Sequence, residues 1–168
     1  MQPYRLAVAG SLRLCGVCSS AVWCALRLCG VHFGCLGTRA FAPLPRRPVR
    51  FTESGRLRVQ ECERVEALRT ELTKCGAKVI EEDDTLHIMH SPDLHGAEIE
   101  TYQDHRMAMC FALLGLKVPG MRLHNPGCVK KTFPSFFQKI AAAPPVGVGV
   151  LINDVDGNAL TGDDLFAS

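Results

Sequence analysis

An α/β fold, α+β in the broad sense, is predicted for the central part of this 168-residue chain, and three observations carry that prediction. Lys78-Val79-Ile80 and Leu86-His87-Ile88-Met89 flank the acidic turn Glu81-Glu82-Asp83-Asp84, the pattern of a hairpin. Val65, Leu68, Leu72 and Cys75 recur at the spacing of one helical face, with Gly76 placed to end that helix. Met107 to Leu116 is nearly unbroken apolar sequence opened by Asp104-His105-Arg106, as in a buried helix with a polar first turn.

Composition sets the outer bounds. The hydrophobic and charged fractions, 47% and 21%, are those of a globular chain and exclude global disorder. The net charge of +2 conceals a break near Arg50. Residues 1 to 50 hold seven of the 19 basic residues, all arginine, and none of the 17 acids. The remainder is net acidic, which together with the core-like spacing of Phe133, Phe136 and Phe137 argues against nucleic acid as a partner.

Three segments are expected: a basic Cys/Arg-rich stretch over 1–50, a folded domain over 51–143, and a tail over 144–168. In the first, the uncharged run Leu14 to Leu26 is bracketed by Arg13 and Arg27 and is shorter than the roughly 20 residues a membrane span needs. Cys15, Cys18, Cys24, Cys29, His32 and Cys35 match no usual pair of zinc-ligand knuckles. The proline-rich joint Phe41 to Pro48 reads as a linker.

From there the elements follow in order. Val49-Arg50-Phe51 is a short strand, and Glu61 to Cys75 a helix with Arg64 in its first turn. After the hairpin, Ala97 to Tyr102 is a strand feeding the helix of Arg106. Pro119-Gly120 turns the chain into the strand Met121 to His124. Lys130-Lys131-Thr132 precedes a last helix, Phe133 to Ala142, with Pro134 where a first turn tolerates it. In the tail, Ile152 to Asn158 approximates a calcium loop, but Ile152 falls on the first ligand position, so a hairpin turn is favoured. Cys62, Cys75, Cys110 and Cys128 are dispersed and read as reduced thiols, Cys75 and Cys110 on core faces.

A cation in the first turn of a helix opposes the helix dipole unless an anion shares the site. Asp104 as N-cap, paired with Arg106, is one account of that helix start. Arg64, Arg106 and Lys131, however, each lie at or just before a helix start. Two readings stay open: three cations converging on a phosphate or carboxylate, or three unrelated surface bases.

The runs Arg58 to Arg64, Thr101 to Met109 and Lys131-Thr132-Phe133-Pro134 resemble, in order and spacing, three carboxyl-terminal motifs of the 5-enolpyruvylshikimate-3-phosphate synthases. That resemblance implies a βαβαββ unit of the enolpyruvyl transferase fold and transfer of the enolpyruvyl group of phosphoenolpyruvate to shikimate 3-phosphate. It also implies no metal or organic cofactor, a cytoplasmic setting away from membranes, and a separate amino-terminal domain as partner. Arg64, Arg106 and Lys131 then match the bases that hold phosphoenolpyruvate, and Glu61 a carboxylate implicated in proton transfer. Gln60 stands where the family carries a lysine near shikimate 3-phosphate, and Arg56 where it carries an asparagine. The family's upstream catalytic aspartate has no counterpart in residues 1 to 50. A non-catalytic, anion-binding fragment, or a metal- or membrane-associated amino-terminal module, are the alternatives.

Overall fold

A computed structural model of the chain describes residues 6–9, 39–44, 46–52, 54–59, 61–143 and 146–165. Gln60 and the amino-terminal cysteines therefore lie outside the described residues, as does the run Leu14 to Leu26. Two sheets organise the rest. Strand β1 (Leu6–Ala9), β5 (Glu98–Ile99), β6 (Met121–Leu123) and β7 (Leu151–Asn153) form one sheet in the order β5-β6-β1-β7. Strands β5 and β6 run parallel, and β1 is antiparallel to both β6 and β7. The other sheet is antiparallel, with β4 (Thr85–Ile88) between β2 (Val49–Phe51) and β3 (Val79–Glu82).

The hairpin forms where the sequence places it. Its two-residue turn needs a left-handed residue, which Asp83 supplies at φ +50°, and alternation turns Leu86 and Ile88 fully inward. Helix α1 (Gly55–Arg58) is one short turn, and α2 (Arg64–Lys74) begins three residues later than its apolar pattern suggests. Glu63 accepts the Glu66 amide as its N-cap, which fixes the first turn there. The helix ends in a Schellman motif: Gly76 at φ +85° lets its own amide bond the Thr73 carbonyl and the Ala77 amide bond that of Leu72. Val65, Leu68 and Leu72 are buried on its inner face.

Helix α3 (His105–Leu114) is buried at every position except Arg106, so its apolar run is the middle of the core. The last helix is shorter than expected. A 3-10 turn covers Pro126–Lys131, and α4 spans Phe136–Ala141, with Phe136 and Phe137 packed edge to face in the core. Lys131 thus ends a 3-10 turn instead of preceding a helix directly. In the tail, Asn153 pairs with Ala159 across a turn in which the Asp154 carboxylate accepts the Asp156 and Asn158 amides, the expected hairpin.

The amino-terminal region departs from its expected separateness. β1 fills the slot between β6 and β7, where its backbone groups are paired on both sides. The proline-rich joint and the two residues before it pack as well: Ala40 and Ala42 lie in the core, Pro43 accepts the Ser91 amide, and the buried Arg39 guanidinium sits over the Phe51 ring at 4.6 Å. Its turns are closed locally by Ala42 and Leu44 amides bonding Arg39 and Phe41 carbonyls, so it is not an extended linker. Among the described residues, no helix is long and apolar enough to cross a membrane.

Candidate functional site

Asp104 joins the starts of α2 and α3. Its Oδ2 accepts from Arg64 Nε at 2.5 Å, and its Oδ1 accepts the Arg106 backbone N–H at 2.8 Å. The carboxylate is wholly buried and the Arg64 side chain is 3% exposed. The expected Asp104–Arg106 pairing is therefore replaced: Arg106 contributes its amide, and the charge partner is Arg64, first residue of the neighbouring helix. Burial pushes the Asp104 carboxyl upward, but the Arg64 hydrogen bond and the Arg106 amide outweigh it and hold the group below its ordinary value.

Glu61 gathers the second half of the cluster. Its carboxylate accepts a hydrogen bond from Lys131 Nζ, while its Oε2 lies 3.9 Å from Arg64 Nη2 and 3.2 Å from His105 Nδ1. The Lys131 bond holds the Glu61 carboxyl below its ordinary value against the opposing effect of desolvation. His105 is nearly buried, and its Nδ1 lacks a partner in hydrogen-bonding alignment, so the imidazole faces the cluster with an unused polar edge. The Arg106 side chain is exposed, and among the described residues it has no hydrogen-bond or ion-pair partner.

The fold thus brings Glu61, Arg64, Lys131, Asp104 and His105 together, and sets Arg106 beside them through its backbone. The ligand atoms of Glu61, Asp104 and His105 lie within 4.8 Å of one another, a spacing that suits a metal ion. Their charge environment does not. Arg64 and Lys131 already engage both carboxylates, and a cation would have to displace them or share their field. Of the bases on these elements, Lys131 and Arg106 are exposed and Arg64 is buried, a set whose charge suits an anion better than a cation.

The turn preceding Asp104 carries stored backbone strain. Tyr102 and Gln103 are consecutive left-handed residues at φ +52° and +55°, neither of them glycine, a conformation that costs of order 1–3 kcal/mol each. Asp104 N–H closes the turn onto the Thr101 carbonyl at 2.8 Å, and Thr101 Oγ1 donates to the His124 carbonyl at 2.9 Å. Sequence reasoning missed what else holds this turn. Glu71 falls among Leu68, Leu72 and Cys75 on the inner face of α2, and an acid at that position was the available signal.

The thiols are unsuited to nucleophilic work. Cys75 and Cys110 are buried, Cys62 and Cys128 partly so, and burial pushes Cys62 up to about 12 and Cys75 and Cys128 up to about 11.

Fold and cluster together define an α/β domain in which a buried arginine and an exposed lysine pair with the carboxylates of Asp104 and Glu61 beside two helix starts. The family model of EPSP synthase (3-phosphoshikimate 1-carboxyvinyltransferase) matches residues 40–140, and the chain belongs to that family. It is 46% identical over 100 residues to the 3-phosphoshikimate 1-carboxyvinyltransferase of Nostoc punctiforme, a match covering 60% of this chain and 23% of that protein. With the Nitrosomonas europaea protein of the same name it is 52% identical over 87 residues, 51% of this chain and 20% of that one. An EPSP synthase structure from Acinetobacter baumannii superposes with a TM-score of 0.60 at 26% identity, over 70% of this chain and 28% of that chain. The chain thus spans about a quarter of the length of the relatives it matches. The match begins at residue 40, so it takes in the proline-rich joint.

Proposed function

We propose that this chain supplies the carboxyl-terminal part of a site that transfers the enolpyruvyl group of phosphoenolpyruvate to shikimate 3-phosphate and releases phosphate. The observation that carries the reading is Asp104 tying Arg64 to the backbone at the start of the Arg106 helix while Glu61 bonds Lys131, which brings Arg64, Lys131 and one titratable carboxylate together beside that helix start. Arg64, Arg106 and Lys131 hold the phosphate and carboxylate of phosphoenolpyruvate. Arg64 does so from a buried position and Lys131 from a largely exposed one.

In the transfer, the acceptor hydroxyl adds to C2 of phosphoenolpyruvate as its C3 methylene gains a proton. Phosphate then leaves C2 as a proton is lost from the new methyl group. Glu61 sits within reach of Lys131 and His105, which allows it to exchange that proton, while the fixed cations stabilise charge on the departing phosphate. The reading requires neither metal nor organic cofactor. It does require shikimate 3-phosphate contacts from a separate amino-terminal domain, in a cytoplasmic setting, and it has to accommodate the neutral Gln60 at the sequence position where the family carries a lysine.

A second reading has its own support. A domain that binds anions without turning them over is favoured by Arg106, whose side chain is exposed and has no hydrogen-bond or ion-pair partner among the described residues. Phosphate release from phosphoenolpyruvate and shikimate 3-phosphate separates the two, measured on the chain alone and with a separately expressed amino-terminal domain. Release in the mixture supports transfer; binding of phosphoenolpyruvate with no release in either case supports the anion-binding reading.

A further inference from the structure

Beyond the charged cluster, the buried acid Glu71 stands out. Its carboxylate, in the middle of α2, is 0% exposed. Both of its oxygens accept from Lys74 Nζ at 2.8 Å, but that lysine is 44% exposed and one turn away on the same helix. A helical ion pair of that kind forms equally well on a solvated face, where neither charge loses its hydration. Burying the acid must therefore be offset by other donors, and both of those come from the strained turn ahead of Asp104. Tyr102 Oη donates to Oε1 at 2.8 Å, and the Glu100 amide donates to Oε2 at 3.2 Å.

We propose that Glu71 is a positioning residue for the anion site: its buried carboxylate holds Tyr102 and Gln103 left-handed, which sets Asp104 between Arg64 and the Arg106 amide. The remaining bonds of the turn fit this role. Glu100 turns its carboxylate back onto the Thr101 and Tyr102 amides at 3.0 and 3.2 Å, so the left-handed segment is gripped from α2 on one side and by its own strand end on the other. No glycine relaxes the strain, and the side chain of Tyr102 is what the strained backbone delivers to Glu71. Partial burial and the Glu71 bond also push the Tyr102 phenol above its ordinary value, as expected for a hydroxyl donating to a carboxylate.

The functional consequence rests on the anion site proposed above; the positioning of Asp104 does not. Both are read on the full chain, using Glu71→Gln, Tyr102→Phe and, as a control, Lys74→Ala, which removes the ion pair and leaves the turn bonds. Amide hydrogen exchange reads the positioning directly, because the Arg106 N–H is held by Asp104 Oδ1. Arg106 is expected to exchange at least tenfold faster in Glu71→Gln and Tyr102→Phe but not in Lys74→Ala, while amides in the middle of α3 keep their protection. Phosphoenolpyruvate is expected to bind at least fivefold more weakly to the same two variants. Arg106 exchange within twofold of wild type in Tyr102→Phe, the variant least able to disturb folding, overturns the proposal whatever the binding result. Equal binding by wild type and Tyr102→Phe overturns its functional part. A folded wild-type chain that fails to bind phosphoenolpyruvate overturns the anion site itself, and the exchange result still decides Glu71.

Discussion

Replacing Asp104 with asparagine isolates the bond on which the cluster depends. The side chain keeps its shape and an oxygen able to cap the Arg106 amide, so the N-cap contribution of about 1 kcal/mol survives. What disappears is the charge facing Arg64, whose side chain is 97% buried and hydrogen-bonded to Asp104 at 2.5 Å. Breaking a buried pair by removing one partner costs about 3–5 kcal/mol, because the remaining charge stays desolvated. Glu61, 3.9 Å from the same guanidinium and engaged by Lys131, gives partial relief and points to the lower end, about 3 kcal/mol. At a urea dependence of about 1.5 kcal/mol per molar, that lowers the unfolding midpoint by about 2 M. The sign of the pH dependence follows from the depressed carboxyl. Wild-type stabilisation by Asp104 is fully present above the unfolded value of about 3.9 and is lost as pH falls through the lower folded value. The gap between wild type and variant should therefore close on acidification. Urea unfolding at pH 7 and at intervals below pH 5 checks both; a loss under about 1 kcal/mol at pH 7, or a gap independent of pH, refutes the reasoning.

Other consequences are open to direct measurement. Glu61→Gln removes a carboxylate that competes for Lys131, so inorganic phosphate should bind the chain up to about fivefold more tightly, the equivalent of a partly exposed pair. Any phosphate release in the mixture with an amino-terminal domain should fall by about 100-fold or more in that variant, the usual contribution of a proton-transfer group. Lys131→Ala should let the Glu61 carboxyl titrate higher, since the Lys131 bond is the chief influence depressing it, and carbon-detected NMR of the glutamate side chains reads the shift. Cys62, pushed up to about 12, should be alkylated at pH 8 more than about 100-fold more slowly than a free thiol, as followed by peptide mass spectrometry.

The parts of the fold written in local pattern were legible. The apolar face of α2, the Gly76 cap, the hairpin turn and the continuous apolar run of α3 each specify their element without distant help. Element ends were less so, because caps decide them: Glu63 delays α2, and the left-handed turn at Tyr102 cuts β5 to two residues. The place of Leu6–Ala9 between β6 and β7 was not legible, since four apolar residues do not name strands more than a hundred positions away. For the site, helix position singled out Arg64, Arg106 and Lys131, and the family resemblance singled out Glu61. They could not say which acid Arg64 faces. Asp104 is 40 positions from it in sequence, and only the crossing of two helix starts makes them neighbours. Glu71 was missed for the same reason: its turn-side donors lie about thirty positions downstream.

The central claim is that Arg64, Arg106 and Lys131 form one anion site within this chain, and calorimetric titration of phosphoenolpyruvate into the full chain tests it most directly. The account predicts saturable binding at one site per chain that weakens with added salt. Arg106→Ala and Lys131→Ala should each reduce it by about tenfold or more, the worth of a charged hydrogen bond. Binding that is absent in the folded chain, or unchanged in both variants, would contradict it.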